Sequence, residues 1–209
     1  LSTLREFKGV RRRFEVKGKS AGITVIDDYA HHPSEVQATL SAARLHFPNQ
    51  KLWVYFQPHT YSRTSALKSE IASSFEDADH VVITDIFASR ETDDGTVSSE
   101  SILELMNHAD VHYIGGHQEA ACFIASQMTS GDILITLSAG DGYKVGEHVL
   151  DILDSRSARN ITVDTIFARF GEKVRRNEPM ARYTSARVGG PADFFLQARS
   201  VDELSIAQV

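Results

Sequence analysis

Short apolar runs recur along the first three quarters of the chain, and the stretches between them space their apolar residues three and four apart. FEVKG (14–18), ITVID (23–27), KLWVYF (51–56), HVVIT (80–84), VHYI (111–114) and DILITL (132–137) have the length and the β-branched and aromatic content of strands. The first two are joined by KGKSAG, which reads as a turn. PSEVQATLSAARLHF (33–47), SALKSEIASSF (65–75), SESILELMNH (99–108), HQEAACFIASQM (117–128) and YKVGEHVLDIL (143–153) carry helical spacing. Strands alternating with helices of this length predict an α/β fold, a Rossmann-like and mostly parallel sheet with helices on both faces.

The pattern stops near residue 154. DSRSARN (154–160) is polar and without apolar period, and residues 154–161 are predicted as a linker. Beyond it lie an amphipathic segment, VDTIFARFGEKV, and an irregular stretch containing Gly-Gly-Pro. Residues 162–209 are too few for a sizeable core of their own. They read as the opening of a second domain, after a first domain over residues 1–153.

Composition narrows the function classes. The 209 residues are 42% hydrophobic and 24% charged with a net charge of −6, an ordinary soluble composition. The negative balance argues against a nucleic-acid partner, which would need a basic surface; RRR at 11–13 is the local exception. A single cysteine, Cys122, allows no intramolecular disulfide and fits a reducing cytoplasm. Its setting, EAACFIASQM, predicts a buried helical position. No run approaches the ~18 apolar residues of a membrane span, and no charged-then-apolar leader is present, so no membrane partner is expected. The chain opens on Leu rather than Met and reads as part of something longer.

Four polar clusters follow predicted strands, where ligands of doubly wound sheets gather. They are DDYAHHPSE (27–35), QPHTYSRTS (57–65), DIFASRETDDG (85–95) and LSAGDGYK (137–144). Asp28 can accept from ribose hydroxyls, and Tyr29 offers a face for a base. Arg63 supplies a planar fork for a carboxylate or phosphate, and His31, His32 and His59 donate hydrogen bonds or take up a proton near neutrality. SAGDG (138–142) lets backbone N–H groups approach an anion ahead of a helix. The plainer alternatives are that Asp27 and Asp28 are strand-end acids and that Pro33 merely opens a helix. The histidines lack HxH or HxxxH spacing, so no metal site is expected. His46, His80, His108, His112, His117 and His148 read as surface or core positions. Neither GxxxxGK[ST] nor GxGxxG occurs. The residues alone thus point to a rim for a small anion and a nucleotide.

GVRRRFEVKG, VIDDYAHHPSEV, FQPHTYSRT, DIFASRE and LSAGDGYKVGE, in that order, resemble the carboxy-terminal domain of the Mur ligases, in particular the alanine-adding, MurC-type UDP-N-acetylmuramate ligases. The likeness runs from about residue 4 to 153. It implies the last domain of a three-domain, ATP-dependent ligase of peptidoglycan precursor synthesis, with UDP-N-acetylmuramate, L-alanine and ATP as partners. The phosphate loop and the Mg2+ ligands would belong to the central domain. By the same resemblance Arg13 reaches the ATP phosphates, and Asp28 and Tyr29 meet ribose and adenine. His31, His32 and His59 act at the acyl phosphate, and Arg63, Thr60, Gly140 and Asp141 contact substrate. Some members carry a second arginine at position 60, and GAGD where this chain has SAGD. A ligase that recycles murein tripeptide shares the DDFAHHP-like corner, and a nucleotide-binding module without chemistry is the alternative from another class. The missing GxGxxG disfavours an NAD-dependent oxidoreductase. The tail, NEPMARYTSARVGGPADFFLQARSVDEL (177–204), resembles the start of the MurB-type flavin reductases. That implies a truncated α+β FAD-binding domain, with Arg187, Gly189 and Gly190 near the flavin and the NADPH-binding residues downstream. The order implies a fusion of ligase and reductase.

Overall fold

The computed structural model describes residues 11–185, 187, 189–197, 199 and 200. Predictions resting on residues 1–10, and on the tail's VDEL (201–204), lie outside these. The chain divides into two compact units between Asp154 and Ser155.

The first unit is built on a six-stranded sheet. Its strands are β1 (Glu15–Ser20), β2 (Ile23–Asp28), β3 (Leu52–Gln57), β4 (His80–Ile83), β5 (Val111–Tyr113) and β6 (Ile133–Ser138), in the order β1-β2-β6-β3-β4-β5. β1 pairs antiparallel with β2 at one edge; the other four pairings are parallel. The β1–β2 hairpin turns on Ala21 (φ 51°) and Gly22 (φ 80°), two positive dihedrals in a row, as a tight primed turn demands. The helices are α1 (Pro33–His46), α2 (Tyr61–Ala72), the single turn α3 (Glu100–Leu103), α4 (His117–Gln127) and α5 (Tyr143–Phe170).

Alternation along the strands separates two cores. Leu52, Val54 and Phe56 of β3 join Ile26, Ile135 and Leu137 beneath Val36 and Leu40 of α1 and Ile71 of α2. Trp53 and Tyr55, one step out of phase, join Val25 and Leu134 beneath Ala121 and Ile124 of α4 and Val145 and Val149 of α5. Successive side chains of a strand point to opposite faces, so β2, β3 and β6, buried at every position, are covered on both sides. At the amino end of β3, Asp79 takes the Leu52 N–H (2.9 Å) and ion pairs from Arg44 (2.7 Å) and Lys51 (2.9 Å). Burial works against its ionisation, but these partners hold it well below the usual carboxylate range.

Several expectations are corrected. α2 begins at Tyr61, not at 65, so Arg63 stands on its first turn. The predicted helix over 99–108 forms only one helical turn. Cys122 is exposed rather than buried, because the buried stripe of α4 runs through Ala120, Ala121, Ile124 and Ala125 and leaves position 122 on the outer face. Residues 154–160, expected as an irregular linker, are helical, and the division between the two units falls within this helix. No Gly or Pro interrupts residues 147–170, and the helix ends just before Gly171 (φ 51°), a left-handed stop.

The second unit contains an antiparallel pair, β7 (Val174–Pro179) and β8 (Pro191–Leu196). Between them Tyr183 stacks on Phe195 (4.3 Å) and donates to the buried Glu178 (2.9 Å). Among the described residues no helix is long and apolar enough to cross a membrane.

Candidate active site

β2, β6, β3 and β4 lie side by side, so the four clusters that follow them form one continuous rim at the carboxyl ends of the strands. Arg12 ties the rim together. Its Nε donates to Asp27 Oδ2 (2.9 Å), Nη1 to the Gly140 carbonyl (3.1 Å), and Nη2 to the Ser138 carbonyl (2.6 Å) and hydroxyl (2.9 Å). Arg12 (φ 57°) and Phe14 (φ 46°) both hold left-handed backbone, an uncommon conformation for a bulky residue. Three contacts hold this turn: the Tyr29 N–H on the Arg12 carbonyl (2.8 Å), the Phe14 N–H on Asp28 (2.7 Å) and the Arg12 N–H on Glu15 (2.8 Å). Strained backbone that the surroundings over-determine is a mark of functional rims.

Arg13, beside it, is exposed, lies 5.5 Å over the Tyr29 ring and faces Glu35 at 3.9 Å. The Tyr29 ring is also exposed, with the Arg12 guanidinium 5.3 Å from its centre. Both side chains are exposed on the rim. Asp28 is not. It is buried, and its two oxygens accept the Phe14 (2.7 Å) and Ala30 (2.8 Å) N–H groups. Its carboxylate locks the arginine turn to the start of α1 instead of standing open for a ribose.

His31 and His32 part company. His32 caps α1: its Nδ1 lies 2.9 Å from the Ser34 hydroxyl, and Glu35 returns to the His32 N–H. This reciprocal capping box satisfies two N–H groups that the helix leaves free, so His32 belongs to the fold rather than to the reacting groups. Glu35 is kept ionised against its partial burial by the His31 and His32 N–H groups and by the charges of His31 and Arg13. The His31 ring is held by Nδ1 on the Tyr29 carbonyl (2.9 Å) and turns its face toward His59, 5.5 Å away.

His59 sits on Phe87, ring on ring at 5.7 Å, and the Phe87 N–H bonds the Pro58 carbonyl (2.8 Å). Arg63 Nη1 reaches the His59 carbonyl (3.1 Å) and Nδ1 (3.3 Å). Partial burial first, then the charges of His31 and Arg63, push the His59 pKa down, so its neutral form prevails at pH 7. A guanidinium only donates, so Nδ1 must accept and the ring proton sits on Nε2. Nε and Nη2 of Arg63 make no hydrogen bond to any described residue in this rim, which leaves open the edge that carboxylates engage in pairs.

The remaining predicted contacts are taken up internally. Thr60 donates to Glu91 (2.5 Å). Asp141 accepts from Gln57 (3.0 Å), His117 (3.1 Å) and Lys144 (3.2 Å), and these bonds outweigh its burial and bring its pKa to about 2. His117 was expected as a filler and is instead part of this network. The Gly142 N–H is spent on Gln57 (3.0 Å), so that amide of the SAGDG turn is not left open to an anion. A side chain at Gly140 would stand 2.6 Å from Phe87 and 2.7 Å from Gln57; glycine is required there by packing. Among the described residues no cluster of three His, Cys, Asp or Glu could hold a metal ion.

Residues 12–140 match the family described as Mur ligase, glutamate ligase domain. The chain is 49% identical over 150 residues to the UDP-N-acetylmuramate–L-alanine ligase of Roseiflexus sp. (strain RS-1), covering 72% of this chain and 32% of that protein. It is 48% identical over 145 residues to the corresponding ligase of Alkaliphilus metalliredigens (strain QYMF), covering 69% of this chain and 31% of that one. The structure is similar to the UDP-N-acetylmuramate-alanine ligase MurC of Thermotoga maritima, with TM-score 0.59 and 28% identity over 75% of this chain and 33% of that chain. The chain thus spans about a third of the length of the relatives it matches. It belongs to the Mur ligase family, and its first unit is the carboxy-terminal, glutamate ligase domain of that family.

Proposed function

We propose that this chain supplies the carboxy-terminal domain of an ATP-dependent UDP-N-acetylmuramate–L-alanine ligase of peptidoglycan precursor synthesis. ATP passes its terminal phosphoryl group to the muramoyl carboxylate. The alanine amine attacks the acyl phosphate, phosphate leaves with the C–O bond, and an amide remains. Mg2+ would neutralise phosphate charge and be held by the central domain. The observation that carries the reading is the Nε/Nη2 edge of Arg63, unpartnered among the described residues, beside a neutral His59. Arg63 takes the alanine carboxylate through two parallel hydrogen bonds. The His59 Nε2–H points its positive end at the oxyanion that grows as the amine adds. His31, whose Nδ1–H is spent on the Tyr29 carbonyl, can in its neutral form accept an amine proton at Nε2. Arg13 and Tyr29 meet the nucleotide. Closure of this rim over the central domain would exclude water from the acyl phosphate, and the polypeptide works in the cytoplasm.

The test is phosphate release from ATP by the complete ligase carrying this domain. Release should require both UDP-N-acetylmuramate and L-alanine. Release driven instead by a murein tripeptide would move the domain to the recycling ligases, and nucleotide binding without turnover would leave a binding module.

We propose further that the second unit opens a MurB-type, FAD- and NADPH-dependent reductase fused behind the ligase. Support comes from the motif RYTSARVGGPAD and from a backbone that fits it. Gly189 (φ 141°) and Gly190 are exposed, and Arg187 (φ 52°) lies exposed before them, leaving bare peptide where a flat ring system can approach. When bound, the flavin would supply hydride transfer. The polypeptide extended through its reductase should retain FAD and its absorption band through gel filtration. Protein that emerges colourless after incubation with FAD would sink the reductase reading and leave the ligase reading untouched.

A further inference from the structure

The loop after β4 carries a carboxylate that the chemistry above does not use. Glu91 follows Ser89, which is left-handed (φ 55°), and its N–H bonds back to the Ala88 carbonyl (3.0 Å), forming a tight turn. From there its side chain reaches the start of α2. Oε2 accepts the Ser62 N–H (2.8 Å), and Oε1 accepts the hydroxyls of Ser62 (2.5 Å) and Thr60 (2.5 Å). Thr60 is the N-cap of α2, yet its own side chain caps nothing. The free N–H groups of a helix start need an acceptor and favour negative charge, and here both come from another loop. The Ser62 hydroxyl first, then Thr60 and the Ser62 N–H, hold the Glu91 pKa near 2, so the carboxylate is ionised at any working pH.

Arg63 is the next residue along α2. Its guanidinium is anchored on His59 through Nη1 alone, so the direction of its open edge depends on where the first turn of α2 and the 58–60 loop stand relative to each other. The DIFASRE loop fixes both, through Phe87 on the His59 ring and the Pro58 carbonyl, and through Glu91 on Thr60 and Ser62.

We infer that Glu91 is a positioning residue for the amino-acid subsite, a carboxylate strut that aims Arg63. This rests on the reading that Arg63 receives the alanine carboxylate. Two arms test it. In the 209-residue chain, Glu91→Ala should raise hydrogen exchange at the Ser62 and Arg63 amides at least tenfold and broaden the Arg63 Nε–H resonance. Glu91→Gln, which keeps one accepting oxygen, should fall between. In the complete ligase, Glu91→Ala should raise the KM for L-alanine about tenfold, or about 1.4 kcal/mol, with the KM for ATP unchanged. In an Arg63→Ala background the same substitution should have no further effect on alanine. Unchanged exchange at Ser62 overturns the strut. A loss shared equally between ATP and alanine, or one fully additive with Arg63→Ala, overturns the aiming. Wild-type turnover without alanine dependence overturns the assignment of Arg63, and the inference with it, while the exchange arm still reports on the strut.

Discussion

Arg12→Ala should lower the stability of the first unit by about 3–5 kcal/mol, the range for stripping one partner from a buried ion pair. Asp27 is fully buried and ion-paired to Arg12 at 2.9 Å. Without the guanidinium its carboxylate keeps, among the described residues, only the Thr136 hydroxyl (2.8 Å). The carbonyls of Ser138 and Gly140 lose their donor at the same stroke. Arg12→Lys should recover less than half of the loss, since one ammonium cannot reproduce four donations fixed by a planar fork. Arg12→Ala combined with Asp27→Asn should cost less than the sum of the single changes, because the uncompensated charge is gone. Trp53, the only tryptophan and buried in β3, reports urea unfolding of this unit directly. A loss under about 1 kcal/mol, the size of an exposed pair, would show that Arg12 is not the tie that the geometry makes it.

Arg63→Ala should act on turnover and leave folding nearly untouched. Its bonds are local, made to His59 four residues back, so truncation leaves no buried charge behind. The kcat/KM for L-alanine should fall about 100- to 1,000-fold, as expected when a paired, charge-assisted contact of about 3–4 kcal/mol is removed. The KM for ATP should stay within about twofold, since the nucleotide contacts assigned to Arg13 and Tyr29 lie on the other side of His31. Arg63→Lys should restore part of the rate through charge alone. An unchanged midpoint of Trp53-detected unfolding separates this effect from the structural one at Arg12.

The sheet was legible because burial on both faces writes itself into the sequence. Leu52, Val54 and Phe56 alternate with Trp53 and Tyr55, every position apolar, and a strand so covered can only be central. The rim was legible as an ensemble, since polar clusters after apolar runs fall at strand ends by construction. What each side chain does there was not. Three successive arginines gave no sign of which one turns inward. The left-handed backbone at Arg12 and Phe14 breaks strand alternation, and the partners of Arg12 at Ser138 and Gly140 stand 126 and 128 residues away. Asp28, Thr60 and Asp141 looked available because their partners, the Phe14 N–H, Glu91 and His117, come from other loops. Glu91 stood inside a cluster already marked, but only the distance to Ser62 reveals its use. The polar run 154–160 conceals its helix for a different reason. Lack of an apolar stripe says a segment is solvated, whereas the absence of Gly and Pro says the helix has nowhere to stop.

The most direct measurement is phosphate release from ATP by the complete ligase, at saturating UDP-N-acetylmuramate, titrated with L-alanine in wild type and in Arg63→Ala. Saturable, alanine-dependent release that collapses in the variant while ATP affinity holds is the predicted result. Release indifferent to alanine, or an Arg63→Ala enzyme with an unaltered alanine titration, would contradict the placing of the amino-acid carboxylate at this rim.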